Sequence, residues 1–214
     1  MKLSPQHKAA VTPSADEVQE QRVRWNRAFT DPAWRSTRFN SQPNALLIET
    51  VGHMSAGLAL DMHMGEGRNA LYLAQLGWHV TGVDIAEQAL HLAQQQAQQL
   101  GLQLNTVEAD ATQYDWGTNY WDLIVLAYAD ESTHVAQVQA ALKPGGLVVF
   151  ENFHADINRV RPGKPGQTLG FATDELKNVY AEAGFRILRY EEPMDIADFS
   201  LETHRLVKLV AQKR

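Results

Sequence analysis

A chain of 214 residues that is 44% hydrophobic and 21% charged has the size and makeup of one globular domain with a short extension. It has no cysteine, which excludes a disulfide framework and thiolate-based zinc or nucleophile chemistry. Its net charge of −6 argues against a protein built mainly to grip nucleic acid. Met1 to Glu20 is polar, unlike a secretory signal, and no stretch of about 18 apolar residues exists to span a membrane. The expectation is a soluble, cytoplasmic protein with neither a membrane nor a nucleic-acid partner.

Residues 1–13, with Pro5 and Pro13 among Lys, Gln and Ser, read as a flexible tail. Ser14 followed by Glu17 is a capping-box pattern that opens a helix to about Phe29, which Asp31-Pro32 then breaks. Pro43 to Gly52 reads as a shorter helix closed by its glycine. Residues 14–56 are thus expected to form a helical extension. Trp25, Trp34 and Phe39 pack on the sheet in this reading; the alternative is a lid over a site.

From residue 57 strands and helices alternate. Gly57 to Asp61 is a first strand, and Gly67 to Leu76 has apolar residues at helical spacing. Trp78 to Val83 is a second strand, followed by a Gln- and Ala-rich helix from Ala86 to Leu100 that Gly101 stops. Leu102 to Ala109 is a third strand. Trp121 to Ala127 is a fourth, apolar enough to be covered on both faces. A helix over 131–142, a turn at Lys143-Pro-Gly-Gly146 and a fifth strand at Leu147 to Phe153 follow. Residues 155–170 form a long loop carrying Arg159, Arg161 and Lys164. Thr173 caps a helix to about Ala183, and Phe185 to Glu191 with Thr203 to Gln212 alternate as an antiparallel closing pair. This order predicts an α/β domain over 57–214, a doubly wound, mostly parallel sheet with an antiparallel C-terminal strand pair.

The chemistry is concentrated in Leu60-Asp-Met-His-Met-Gly-Glu-Gly-Arg-Asn-Ala70, at the first strand-to-helix turn. Gly65 and Gly67 let the backbone approach a ligand where a Cβ would clash, and the next helix offers its N-terminal amides. Val80-Thr-Gly-Val-Asp84 ends the second strand with an acid placed for ribose hydroxyls, although Asp84 also suits a helix N-cap. Asp110 follows the third strand, where an ordinary surface acid is the other reading. Asp61, Asp84 and Asp110 then mark successive strand ends on the ligand-binding rim of a parallel sheet.

Together with Leu142-Lys-Pro-Gly-Gly146 before an apolar strand, these motifs resemble the class I S-adenosylmethionine-dependent methyltransferases. The likeness is specific over residues 57–153 and reaches the C-terminus in outline. Gly65 to Ala74 and Gly77 to Asp84 look like the tellurite-resistance type of small-molecule methyltransferase. The resemblance implies a Rossmann-like sheet, S-adenosyl-L-methionine as cofactor and a small-molecule acceptor. It sets Asp61, Gly65 and Gly67 around the methionine part, Asp84 at the ribose and Ile85 on the adenine. Asp110 and Ala111 would meet the adenine edge, and Arg68 and Asn69 would open the helix beside the cofactor. The chain departs from the family at His63, where Gly or Ala is usual, and at Met64, where Cys or another small residue is common. His63 would crowd the methionine end, bond the cofactor carboxylate, or face the acceptor.

His154 ends the fifth strand, where the family's acceptor usually sits, and is the first choice for a base because an unperturbed imidazole titrates near neutrality. Arg159 and Arg161 would orient an anionic acceptor, unless they only solvate a loop. Tyr128, ending the fourth strand, would pack on the sulfonium by a cation–π contact, unless it is an ordinary half-buried aromatic. Arg68 has a plain reading too, as a solvated helix residue. His53, His79, His91, His134 and His204 lack metal-ligand spacing, so no metal is expected. Thiols, metalloid oxyanions and hydroxylated metabolites all fit as acceptors, for a monomer or a homodimer. Two alternatives stay open: a nicotinamide-dependent oxidoreductase and a catalytically degenerate S-adenosylmethionine-binding protein.

Overall fold

The capping box at Ser14 forms as read. In the computed structural model, which describes residues 14–128, 134–162 and 169–214, the Ser14 hydroxyl accepts from the Glu17 N–H at 3.2 Å, and Glu17 Oε2 accepts from the Ser14 N–H at 2.8 Å. These bonds start α1 (Ala15–Thr30). The Asp31-Pro32 pair is more than a break. Asp31 Oδ1 accepts from the N–H groups of Ala33 and Trp34, and Pro32 fills a first helical position that needs no N–H, so a second helix, α2 (Pro32–Arg38), begins at once. Asn44 caps α3 (Ala45–Val51) by accepting from the Leu47 N–H.

The alternating part follows as β1 (Leu58–Met62), α4 (Arg68–Gln75), β2 (His79–Asp84), α5 (Glu87–Leu100), β3 (Asn105–Glu108) and β4 (Trp121–Ala127). Then come α6 (Val135–Ala141), β5 (Leu142–Phe153), a 3-10 turn (Ala155–Arg159), α7 (Glu175–Glu182), β6 (Arg186–Glu191), β7 (Met194–Ile196) and β8 (Thr203–Gln212). The strands make one sheet in the order β3-β2-β1-β4-β5-β8-β6, with β7 paired to β8. Strands β1 to β5 run parallel, and β8 pairs antiparallel with β5, β6 and β7. The chain winds outward from β1 to β3 and then crosses to β4. The switch point therefore lies between β1 and β4, where ligands of such sheets bind.

Several boundaries differ from the sequence reading, each for a physical reason. The third strand is shorter than 102–109 because it pairs with β2 alone, at the sheet edge. The Lys143-Pro-Gly-Gly146 turn lies inside β5 as a bulge: Trp121 pairs with Leu142 and Leu123 with Leu147, so the intervening residues loop outward, with Gly145 at φ 83°. The helix expected from residue 131 is described from Val135, and residues 129–133 lie outside the described set, as do 1–13 and Lys164. Asp174 precedes α7 in a left-handed conformation (φ 60°), displacing Thr173 as its cap. The closing pair is joined by β7, too short and too exposed to show as an alternating run.

Both faces of the sheet are covered. Leu123, Ile124, Val125 and Leu126 of β4 are all buried, as a central parallel strand requires. One face packs Phe150 against Phe171, Leu176 and Tyr180; the other packs Leu73 and Trp78 against Leu46 and Leu47 of α3. Among the described residues no helix is long and apolar enough to cross a membrane.

The last contact makes α3 part of the domain core rather than a hinged flap. Leu47→Ala is expected to lower global stability in urea by about 2–5 kcal/mol, the range for a buried leucine truncation. A separate early transition with unchanged main unfolding would show that α3 folds apart from the sheet.

Candidate active site

A cleft of 590 Å³ opens at the carboxyl ends of β1, β2 and β4, within the usual range of small-molecule sites, roughly 300–1,000 Å³. Its floor is the β1–α4 turn with Asp84 and Ile85 after β2 and Tyr128 after β4. Its roof is Trp25, Phe29, Arg35 and Phe39 from the N-terminal helices, with Asp198 and Phe199 from the β7–β8 loop. Trp25 and Phe39 thus do not pack on the sheet as first expected. They join Phe29 over Ala86 and Ala89 at the start of α5.

The turn is left-handed at three places: His63 (φ 56°), Gly65 (φ 57°) and Gly67 (φ 79°). Steric space is decisive at Gly67, where a Cβ would lie 2.9 Å from Met64 Cε and 3.0 Å from Ala93 Cβ. Met64 itself folds down onto β2, where a Cβ on Gly82 would overlap its sulfur. The bulky residue at 64 is therefore matched by glycines at 67 and 82. His63 stands in a conformation that glycine adopts freely, which gives the family's preference there a backbone cause.

Asp84 locks this turn in place. Its Oδ2 accepts from the Gly65 N–H and its Oδ1 from the Ala86 N–H, each at 2.9 Å. Asp84 is not the N-cap of α5, which is Ala86 without a side-chain cap bond, and since each carboxylate oxygen accepts more than one bond, capacity for a ligand remains. Burial raises its pKa, against the lowering by these amides and the His63 charge. Asp61 is 1% exposed, and among the described residues its Oδ2 has no hydrogen-bond partner. Burial pushes its carboxyl up to about 7, with Arg68 the largest opposing influence. A buried acceptor left unpaired is expensive, and this one stands on the cleft wall.

Arg68 and Asn69 hold the roof down. Arg68 Nη1 reaches Asp198 Oδ2 at 2.8 Å and the Gln42 carbonyl at 2.8 Å, while Asn69 Oδ1 accepts from the Asn44 N–H at 2.9 Å. Asp198 also accepts from Asn40 at 2.7 Å and Asn44 at 2.8 Å, and its N–H donates to Tyr128 Oη at 2.9 Å. Arg35 pairs with Glu66 at 2.6 Å, tying α2 to the glycine turn. Sequence reading missed Arg35, Glu66, Asp198 and Phe199. Asp198 meets Asn44 and Asn40 across 154 and 158 residues, and no local pattern signals such pairing.

Tyr128 lines the cleft with its ring, packed against Phe153 at 5.2 Å between centroids. Its hydroxyl donates to Glu151 Oε1 at 2.7 Å, and burial beside that carboxylate holds the phenol well above its usual range. It is no proton shuttle near neutral pH.

The other acceptor-side residues lie elsewhere. β5 runs past its last pairing with β4, and His154, buried and bridged through its backbone to Phe171, does not line the cleft. Its Nδ1 accepts from the Asp156 N–H at 3.1 Å, which leaves Nε2 to donate to Thr173 Oγ1 at 3.1 Å. Arg159 is exposed and pairs with Asp156, and neither it nor Arg161 lines the cleft. Asp110 holds the N–H and hydroxyl of Thr112, and Ala111 sits in the core with its carbonyl taken by Trp116 Nε1. They too are absent from the cleft wall.

Two measurements test this electrostatic and backbone picture. Because Asp61 titrates at about 7 instead of 3.8, the folded state carries more protons than the unfolded state between those values. Its stabilising contribution is present at low pH and lost as pH rises through about 7. Asp61→Asn should therefore melt increasingly above wild type from pH 5 to 8; a constant difference would show an ordinary carboxyl. His63→Gly, compared at pH 8 where an ordinary imidazole is neutral, should gain up to about 1 kcal/mol in urea by relieving the left-handed backbone. A loss would mean that His63 contacts outweigh that strain.

A family model described as a methyltransferase domain matches residues 59–146. The release factor glutamine methyltransferase of Bordetella pertussis is 33% identical over 135 residues, which cover 58% of this chain and 50% of that protein. The chain spans about half the length of the curated relatives it matches. The Burkholderia thailandensis 1,6-didemethyltoxoflavin-N1-methyltransferase, solved with S-adenosylhomocysteine, aligns over 100% of this chain and 99% of its own at TM-score 0.69 and 20% identity. TehB from Haemophilus influenzae aligns over 80% and 62% at TM-score 0.66 and 22% identity. The cyclase SpnF aligns over 97% and 99% at TM-score 0.72 and 16% identity. These structures share the fold, and a cyclase among them shows that the fold alone does not name a reaction. The methyltransferase-domain match over residues 59–146 weighs against the oxidoreductase reading of the glycine turn. Residues 59–146 thus match a methyltransferase domain, and the sheet they build has the fold of these solved S-adenosylmethionine-dependent methyltransferases.

Proposed function

We propose that the protein transfers a methyl group from S-adenosylmethionine to a small molecule held in the roofed cleft. The observation that carries this reading is the unpartnered, buried Oδ2 of Asp61 on the cleft wall, beside a glycine turn fastened by Asp84. An ammonium group satisfies Asp61, and a ribose diol suits the accepting capacity left on Asp84. The cleft volume and the backbone at Gly65 fit the same ligand, whereas Gly67, expected beside the cofactor, makes room for Met64 and Ala93 and does not line the cleft. S-adenosylmethionine, when bound, supplies an electrophilic methyl on a sulfonium.

The chain's own groups then position and shield. Asp61 takes the ammonium and Asp84 the ribose hydroxyls, while Ile85 offers an apolar flank to the adenine. Tyr128 presents its ring to the cationic centre, and Trp25 and Phe29 exclude water from above. In-line displacement needs alignment above all, and the Arg68–Asp198 and Arg35–Glu66 pairs hold the roof that provides it. His63 replaces His154 as the base of choice, since its imidazole is on the cleft wall. The preserved Asp84–Gly65 bond beside His63 supports a working site over a degenerate one.

Calorimetric titration with S-adenosylmethionine, S-adenosylhomocysteine and NADH tests the reading. Binding of the first two and not the third is expected, with Asp84→Ala weakening both by about 1.5–3 kcal/mol. Affinity for NADH, or a folded Asp84→Ala with unchanged affinity, overturns the assignment.

A further inference from the structure

Resting on the methyltransferase reading, we propose that the acceptor is an uncharged, planar aromatic molecule stacked between Trp25, Phe39, Phe199 and Tyr128. The sheet divides the cleft. Asp61 and Asp84 end β1 and β2 on one side of the switch point, whereas Tyr128 ends β4 on the other. From the β4 side a run of rings continues across the roof to Phe39 and Trp25, above the start of α5. Phe199 lies 5.3 Å from Phe39, 6.3 Å from Trp25 and 6.4 Å from Phe153, which in turn meets Tyr128. Trp25, Phe39, Phe199 and Tyr128 are each only partly buried and each line the cleft, so ring surface is available to a flat guest.

Charge selects against the other acceptors. The wall carries the carboxylates of Asp61, Glu66, Asp84 and Asp198, against the guanidinium groups of Arg35 and Arg68. Both guanidinium groups are engaged, Arg35 with Glu66 at 2.6 Å and Arg68 with Asp198 at 2.8 Å. An oxyanion would enter an acidic cleft whose arginines already have partners, and neither Arg159 nor Arg161 lines it. A cationic amine would meet the sulfonium's own positive charge and would lack the lone pair that displacement requires. A neutral ring hydroxyl meets neither objection. Its oxygen forms the new C–O bond as the C–S bond breaks, the electron pair stays on sulfur, and the hydroxyl proton passes to the His63 imidazole.

The test is calorimetry on the protein saturated with S-adenosylhomocysteine, using 2-naphthol, 6-hydroxy-2-naphthoate, tyramine, cyclohexanol and tellurite as probes. We expect 2-naphthol to bind at least tenfold tighter than any of the others. Phe199→Leu, which keeps bulk but removes the planar face, should weaken 2-naphthol at least tenfold while S-adenosylhomocysteine affinity changes less than twofold. Equal or tighter binding of the anion, the amine, the aliphatic alcohol or tellurite overturns the proposal, as does a Phe199→Leu variant with unchanged 2-naphthol affinity. No binding of 2-naphthol to the saturated protein overturns it as well. Failure of S-adenosylhomocysteine itself to bind would instead remove the methyltransferase reading beneath it.

Discussion

The carboxylate of Asp84 fixes everything at the open end of the sheet. By accepting from Gly65 on one side and Ala86 on the other, it ties the glycine turn to the residues that lead from β2 into α5. Backbone bonds from Met64 to Val83 and from Gly67 to Met64 carry the turn through its three left-handed residues, and its placement decides where His63 and the N-terminus of α4 stand. Met64 beneath it fills the space that Gly82 leaves open, so the turn is seated from below as well as tied from the side.

Against this fixed floor the roof is assembled from opposite regions of the sequence. Asp198 gathers Asn40, Asn44 and Arg68, and the aromatic side chains of α1 and α2 close over the space that remains. The floor handles charge and the roof handles shape. Asp61 and Asp84 are kept in low-dielectric surroundings where a cationic ligand gains most, and the rings above them exclude the water that would screen it.

What could be read from the sequence was what local chemistry determines. Ser14 with Glu17, Asp84 at the end of β2 and the apolar run of β4 each act on neighbours within a few positions, and each was placed correctly. Asp31-Pro32 was half legible, because the same pair that stops one helix caps and starts the next. His154 misled for a different reason. Its position at the end of β5 was right, but how far β5 overruns β4 is set by pairing with β8, and that register carries no local mark. Asp198 was invisible, since neither its acidity nor its loop announces the two asparagines it binds.

The roof also has a history during synthesis. The helices α1 and α2 leave the ribosome early, yet Asp198, to which Asn40 bonds, is made 158 residues later. At about 5–20 residues per second the wait is on the order of 10–30 s. Through that interval Trp25 and Phe39 have no Phe199 to close against, and with Phe29 and Trp34 they have each other and the start of α5 to shelter on. The cleft is therefore completed late, and a nascent chain is exposed to aggregation through its N-terminal aromatic cluster until β8 and the loop before it have emerged.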